Sequence, residues 1–143
     1  MTSTLTVRPC RIEECPVVLR IWREADATPS VTDTLDELHR FVAEFDGQLL
    51  IAEQDGQVVG TIIAGWDGWR ASIYRLAVLP EYRRMGVARA LLLEAERRLQ
   101  AKGARRLSIL VESHDTQAAA FWDSLASYGY ERDPRIMRYV RTI

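Results

Sequence analysis

The chain has 143 residues, of which 48% are hydrophobic and 27% charged, a size and balance that suit one globular domain and exclude both disorder as the main state and two ordinary domains. Its 19 basic and 20 acidic residues leave a net charge of -1, so bulk charge gives no reason to expect binding to nucleic acid or to a membrane surface. Lys102 is the sole lysine, and the remaining basic residues are Arg, whose planar fork suits phosphate and carboxylate, although codon bias produces the same excess.

No apolar stretch approaches the roughly 20 residues that cross a bilayer, and Met1 to Arg8 lacks the apolar centre of a signal peptide, so a cytoplasmic location is expected. Cys10 and Cys15 cannot build a disulfide framework, and neither they nor His39 and His114 fall into a metal-ligand spacing. Reduced thiols and no metal are expected.

In chain order, Leu5 to Arg8 alternates apolar and polar before Pro9, as a short edge strand does. From Glu13 to Ala25, Val17, Val18, Ile21 and Trp22 recur at helical spacing, with Pro16 tolerable in the first turn. A second helix is expected over Leu35 to Phe45, with Leu35, Leu38, Phe41, Val42 and Phe45 on one stripe, a Thr34 or Asp33 cap, and Gly47 at its end. Three β runs follow, Gln48 to Gln54, Gln57 to Trp66 and Ala71 to Leu79. Asp55-Gly56 and Asp67-Gly68 separate them, and Asp-Gly between such runs is a strong hairpin signal, so the middle of the chain reads as an antiparallel meander. Val87 to Lys102 places Val87, Leu91, Leu92, Ala95 and Leu99 on one face, sets Glu94 against Arg97 or Arg98 on the other, and stops at Gly103. Beyond it, Leu107 to Val111 reads as a buried strand, Thr116 to Ser127 as a helix, and Ile136 to Thr142 as a closing strand, with Tyr130-Glu131 starting a short partner before Pro134.

The segment richest in chemistry joins the third meander strand to the long helix, from Leu76 through Pro80, Arg83, Arg84, Met85 and Gly86 to Ala90. A strand ends, a basic loop bends at Gly86, and a helix begins with unpaired backbone N–H groups and the positive end of its dipole. Gly86 permits close approach of the backbone and Ala88 leaves room, so a pyrophosphate fits. It is not a Walker loop, which ends Gly-Lys-Ser/Thr, nor a dinucleotide fingerprint, which needs more glycines. A solvated arginine pair before an ordinary helix shows the same short pattern.

These residues resemble the GNAT superfamily of acetyl-CoA-dependent N-acetyltransferases, whose signature Arg/Gln-x-x-Gly-x-Gly/Ala lies between a strand and a helix. Arg83-Arg84-Met85-Gly86-Val87-Ala88 fits it in the Ala variant. Val7-Arg8-Pro9 before an acidic helix start, the order of meander, long helix and strand, and Gly129-Tyr130-Glu131 near the end extend the resemblance over nearly the whole chain. The hairpin Gly65-Trp66-Asp67-Gly68-Trp69-Arg70 is similar to a small bacterial subgroup.

The resemblance implies a mixed α/β fold with a mostly antiparallel central sheet, a splayed strand pair and helices on both faces, as a single N-acetyltransferase domain over residues 1–143. It implies acetyl-CoA as the cofactor, with backbone groups of Leu76, Ala77 and Val78 pairing with the pantetheine arm. The N–H groups of Arg84, Met85, Gly86, Val87, Ala88 and Arg89 would hold the pyrophosphate, and Arg83 and Arg84 would add charge. Asp115 stands where members often have an Asn that contacts the cofactor, and an ionised Asp cannot donate as the amide does. Trp122 stands where many members have the Tyr that protonates the CoA thiolate, and an indole N–H is a donor without useful acidity. Tyr128 and Tyr74 are the alternative acids, each of which also reads as a packing residue. Glu112 is the candidate base, with Ser72 and Tyr74 holding a relaying water, and Glu24 and Asp26 are candidates to recognise an ammonium group; each acid also reads as a solvated surface residue.

The expected reaction is direct attack by a primary amine of a small or amino-acid-like acceptor in a ternary complex, since Cys10 and Cys15 look misplaced for covalent transfer. Trp22, Trp66 and Trp69 are candidates to line the acceptor pocket, or are simple core and hairpin packing. The alternatives are a protein N-terminal or lysine acetyltransferase and a non-catalytic acetyl-CoA-binding module. Acetyl-CoA and an amine acceptor are the expected partners, without nucleic acid or membrane, in a monomer or homodimer.

Overall fold

The structure is a computed structural model that describes residues 4–143; Met1, Thr2 and Ser3, part of the stretch weighed above as a signal peptide, lie outside them. The chain divides into two compact units, the first ending at Ile109 and the second running Leu110–Ile143.

In the first unit β1 (Leu5–Pro9), β2 (Leu49–Gln54), β3 (Gln57–Trp66), β4 (Ala71–Val78) and β5 (Leu107–Ile109) form one sheet in the order β1-β2-β3-β4-β5. The first four are antiparallel neighbours, and β5 lies parallel to β4. The turn joining β2 to β3 has Asp55 at φ +50° and Gly56 at φ +85°, the doubly left-handed pair of a two-residue hairpin. Asp67 organises the next turn, its Oδ1 accepting the N–H groups of Trp69 and Arg70 at 2.8 and 2.6 Å.

Helices cover both faces. α1 (Cys15–Glu24) is entered through a short 3-10 turn, Ile12–Glu14, and is followed by α2 (Leu35–Glu44). Trp22 of α1 donates its indole N–H to Thr61 on β3, whereas a Cβ built at the preceding Gly60 would lie 3.1 and 3.2 Å from Leu91 and Val87 of α3 (Val87–Ala101). Successive strand residues point to opposite faces, so α1 and α3 clasp the sheet from opposite sides. The apolar layers are Cys15, Val18, Ile21 and Trp22 on one side and Val87, Leu91, Leu92, Ala95 and Leu99 on the other. Gly60 lets α3 come close at its first turn.

The β4–β5 ladder spans only Ala71↔Leu107 to Ile73↔Ile109. Residues 74–78 of β4 therefore continue without a β5 partner, because β5 ends at Ile109, short of the expected Val111, and is half-exposed where a buried strand was expected.

The second unit contains α4 (Thr116–Asp123) and a short 3-10 turn, Ala126–Tyr128. The expected closing strand over Ile136 to Thr142 is not formed, nor is a short partner at Tyr130-Glu131, and residues 129–143 contain neither helix nor strand. Ile136, Met137, Tyr139 and Val140 are instead exposed. Their apolar pattern gives them the capacity to pair, but a strand needs a partner edge, which periodicity does not supply. The apolar stripe of α2 is also less buried than its spacing implies: Leu38 is covered, while Leu35 and Phe45 are exposed and Phe45 stacks on Phe41.

Candidate functional site

β4 ends at Val78, a 3-10 turn at Pro80–Tyr82 follows, and α3 starts at Val87. Between them Arg84 has φ +62° and Gly86 φ +81°, and left-handed residues in a loop gather N–H groups into an anion-binding concavity. Gly86 is the N-cap of α3 and contributes no side-chain cap, so the N–H groups of Val87 and Ala88 have no acceptor in a preceding helical turn. α2 and α4 begin differently. Thr34 accepts the N–H of Glu37 at 3.2 Å, and Asp115 accepts that of Ala118 at 3.0 Å. Of these three helices, α3 alone leaves its positive end to a ligand. A Cβ at Gly86 would meet nothing within 4 Å, so what favours glycine there is its left-handed φ of +81°.

Arg83 uses its donors within the protein. Its Nε donates to the Val78 carbonyl at 3.2 Å and its Nη2 to the Ala25 carbonyl at 3.3 Å, tying the loop to the end of β4 and to the end of α1. Arg84 and Met85 are exposed in the same loop.

Immediately before the loop, β4 is kinked. Thr61 pairs with Ala77 but Ile63 with Tyr74, so β4 carries one extra residue in a bulge, and Arg75 within it has φ +54°. For a non-glycine residue that conformation costs about 1–3 kcal/mol and persists only where its surroundings enforce it. Those surroundings are specific. The Thr61 hydroxyl, fully buried, donates to the Arg75 carbonyl at 2.8 Å and accepts the Trp22 indole N–H at 2.9 Å. The Arg75 guanidinium lies 4.6 Å from the Trp22 ring centre and donates through Nη2 to both carboxylate oxygens of Asp33, at 2.9 and 3.1 Å. Leu76, the second residue of the bulge, and Ala77 and Val78 beyond it lie on the part of β4 that β5 does not pair. Sequence reading singled out neither Arg75 nor Thr61.

Ser72 and Tyr74 sit opposite Gly65 and Ile63, on the α1 side of the sheet with Thr61. A Cβ at Gly65 would come within 3.0 Å of Tyr74 Cε1, so the tyrosine ring lies across that glycine. Tyr74 is 43% exposed, and burial of the remainder raises its phenol above the usual range. A cavity of about 500 Å³ opens beside α1, with Trp22, Arg23, Asp26, Ser30 and Asp33 in its wall. Asp26 thus lies where an ammonium group can meet it, whereas Glu24 pairs with Arg20 at 3.7 Å. Of the three tryptophans considered for a pocket, Trp22 lines this cavity; Trp69 is exposed beneath the guanidinium of Arg70.

The other candidates belong to the second unit. Asp115 caps α4, Trp122 packs against Phe121 and Tyr130 with ring centres 5.2 and 5.3 Å apart, and Tyr128 and Glu112 are exposed. Cys10 and Cys15 are both buried, and burial pushes the Cys10 thiol up to about 12.

The model of the acetyltransferase (GNAT) family matches residues 16–126. The chain belongs to that family. It is an acyltransferase that uses acetyl-CoA, and the residues fit that donor: α3 offers an uncapped N-terminus behind a left-handed glycine, next to an unpaired stretch of β4. Solved GNAT-like structures share the fold. One is the ribosomal-protein-S18-alanine N-acetyltransferase of Escherichia coli, 24% identical over 85% of this chain and 76% of that one, with a TM-score of 0.66. A second is the PaiA N-acetyltransferase of Thermoplasma acidophilum in complex with coenzyme A, 20% identical over 85% and 87%, with a TM-score of 0.73. A third is the diaminobutyrate acetyltransferase EctA of Paenibacillus lautus, in complex with its substrate and coenzyme A, 17% identical over 89% and 77%, with a TM-score of 0.74.

Proposed function

We propose that this GNAT acetyltransferase, acting as a single N-acetyltransferase domain, moves the acetyl group of acetyl-CoA to a primary amine of a small or amino-acid-like acceptor by direct attack in a ternary complex. The observation that carries the choice of acceptor is the cavity beside α1, a compact recess with the carboxylates of Asp26 and Asp33 and the ring of Trp22 in its wall. Its size suits a small molecule, and Asp26 suits an ammonium group, whereas Asp33 is engaged by Arg75 and Arg23 adds a cation to the wall. Relatives in fold include both a diaminobutyrate acetyltransferase and a ribosomal-protein alanine N-acetyltransferase, so the choice of acceptor rests on the cavity.

Acetyl-CoA brings an activated thioester. The chain's own groups would work around it as follows. Backbone N–H groups of Arg84 to Arg89 hold the pyrophosphate at the positive end of α3, and Leu76, Ala77 and Val78 hold the pantetheine arm and donate to the developing oxyanion. Tyr74, protonated at neutral pH, donates a proton toward sulfur from the α1 side of the sheet, with Tyr128 the alternative. Glu112 takes the ammonium proton, directly or through water. Asp115 and Trp122 stand at positions that the resemblance assigns to the donor, with a carboxylate and an indole where other members have Asn and Tyr. Direct attack is favoured because the two thiols are buried and the Cys10 thiolate is strongly disfavoured.

The test is release of the CoA thiol over a panel of small amines, amino acids and peptides. Turnover confined to the small amines and amino acids supports the proposal. Turnover of peptides alone assigns a protein acetyltransferase, and acetyl-CoA binding without any turnover assigns a non-catalytic module.

A further inference from the structure

We propose that Arg75 is a positioning residue: clamped between Asp33 and the ring of Trp22, its guanidinium holds the extra residue of β4 in left-handed form and so sets the backbone of Leu76–Val78 against the donor. The assignment rests on the reading that this backbone serves acetyl-CoA, and it adds which side chains fix it and a physical link to the acceptor-side cavity.

An arginine is a poor residue for a left-handed position, because its Cβ crowds the backbone as a glycine would not. Its side chain is placed to help hold the kink, beside the Thr61 hydroxyl on its backbone. The structure shows a closed circuit that does so. The carbonyl of Arg75 accepts from the Thr61 hydroxyl, that hydroxyl accepts from the Trp22 indole, and the guanidinium of the same Arg75 returns to lie on the Trp22 ring. The backbone of Arg75 is held by Thr61 and its side chain lies on Trp22, and Thr61 and Trp22 are themselves hydrogen-bonded.

The outer grip is Asp33. It receives Arg75 Nη2 on both oxygens, and its Oδ2 also accepts the N–H of Ser30 at 3.1 Å. With side chains only 16% and 21% exposed, the pair is shielded from water and salt. Asp33 also lines the cavity beside α1, so the cavity and the bulge share this residue. Of its own accord a bulge re-aims neighbouring side chains and ends strand pairing. Here it places Tyr74 and Arg75 toward the same face while the strand edge beyond them stays unpaired.

Asp33→Asn is the decisive variant, since it removes a charge without changing volume and lies 42 residues from Arg75 in sequence. In ¹⁵N NMR spectra of the whole ligand-free chain, it should shift the Trp22 indole N–H and the amides of Leu76–Val78, and speed exchange of the indole proton roughly tenfold. Arg75→Gln should do the same, with Arg75→Lys partly restoring the parental spectrum. Addition of acetyl-CoA should move the Val87 and Ala88 amides in parent and variants alike, but the Leu76–Val78 amides in the parent and in Arg75→Lys only. If Asp33→Asn leaves the indole and the β4 amides at parental positions and rates, Arg75 merely tethers a loop and the assignment is wrong. An unfolded Arg75→Gln changes nothing in this test, because Asp33→Asn and Arg75→Lys decide it. Should acetyl-CoA move no amide of the parent, the reading of the donor site fails, while the ligand-free spectra still decide what Arg75 does.

Discussion

Replacing Gly86 by Ala and, separately, by Glu separates backbone from charge at the head of α3. A Cβ there meets nothing within 4 Å, so both side chains fit and share one cost, the left-handed φ of +81°. That cost is about 1–2 kcal/mol for an L-residue. For a chain of 143 residues the unfolding entropy near Tm is about 0.3 kcal/mol/K, so both variants should melt roughly 3–7 °C below the parent. Binding then distinguishes them. A carboxylate about 4–8 Å from a pyrophosphate charge is repelled by about 2–4 kcal/mol at an effective dielectric near 20, which weakens acetyl-CoA binding roughly 30- to 1,000-fold relative to the Ala variant. Differential scanning calorimetry reads the first effect and calorimetric titration with acetyl-CoA the second, in low salt to limit screening. A Gly86→Glu protein that melts with Gly86→Ala yet binds acetyl-CoA as tightly as the parent would place the donor elsewhere and refute the reasoning.

Gly60→Ala should lose about 1–3 kcal/mol by overpacking, since its Cβ would lie 3.0 Å from the Ala77 carbonyl and 3.1 and 3.2 Å from Leu91 and Val87. Acetyl-CoA affinity should fall with it, because Ala77 and Val87 border the donor site; a parental urea midpoint contradicts this. Tyr74→Phe keeps the ring over Gly65 and removes only the hydroxyl, so turnover should drop about 10²–10⁴-fold with acetyl-CoA affinity unchanged. Parental turnover in both Tyr74→Phe and Tyr128→Phe, on a substrate for which chemistry limits the rate, assigns the proton to solvent instead. Arg8 donates to both oxygens of Glu14 at 2.9 and 2.8 Å and holds that carboxyl below the usual range. This contribution to stability is present above the ordinary glutamate pKa and is lost as pH falls through the depressed one. Glu14→Gln should therefore cost about 1–3 kcal/mol at neutral pH, with the gap from the parent closing on acidification; a gap that stays constant with pH is the contrary result.

Local signals were legible where the chemistry is local. Asp55-Gly56 announces its left-handed turn, Thr34 its cap, and the Val87 to Leu99 stripe its helix, because each depends on residues a few positions apart. The start of α3 behind a left-handed Gly86 was legible for the same reason. Asp115 was read only by its family position, and the structure adds that its side chain caps α4, accepting the N–H of Ala118. The closing strand was misread because pairing depends on a distant edge that Ile136 to Thr142 does not specify. The bulge left no trace in the sequence at all. Nothing marks an arginine for a positive φ when its partners, Trp22, Asp33 and Thr61, are scattered over two helix-and-loop segments and another strand. Gly60 did carry a hint, since a glycine inside a strand pattern signals close approach by another element.

The central claim is direct acetyl transfer from acetyl-CoA to a small amine. Its most direct measurement is the initial rate with the best small amine, varied at several fixed concentrations of acetyl-CoA, with the product identified by mass. The account predicts intersecting double-reciprocal lines and one acetylated amine for each CoA released. Parallel lines with an acetylated protein intermediate, or CoA release without any acetylated amine, would contradict it.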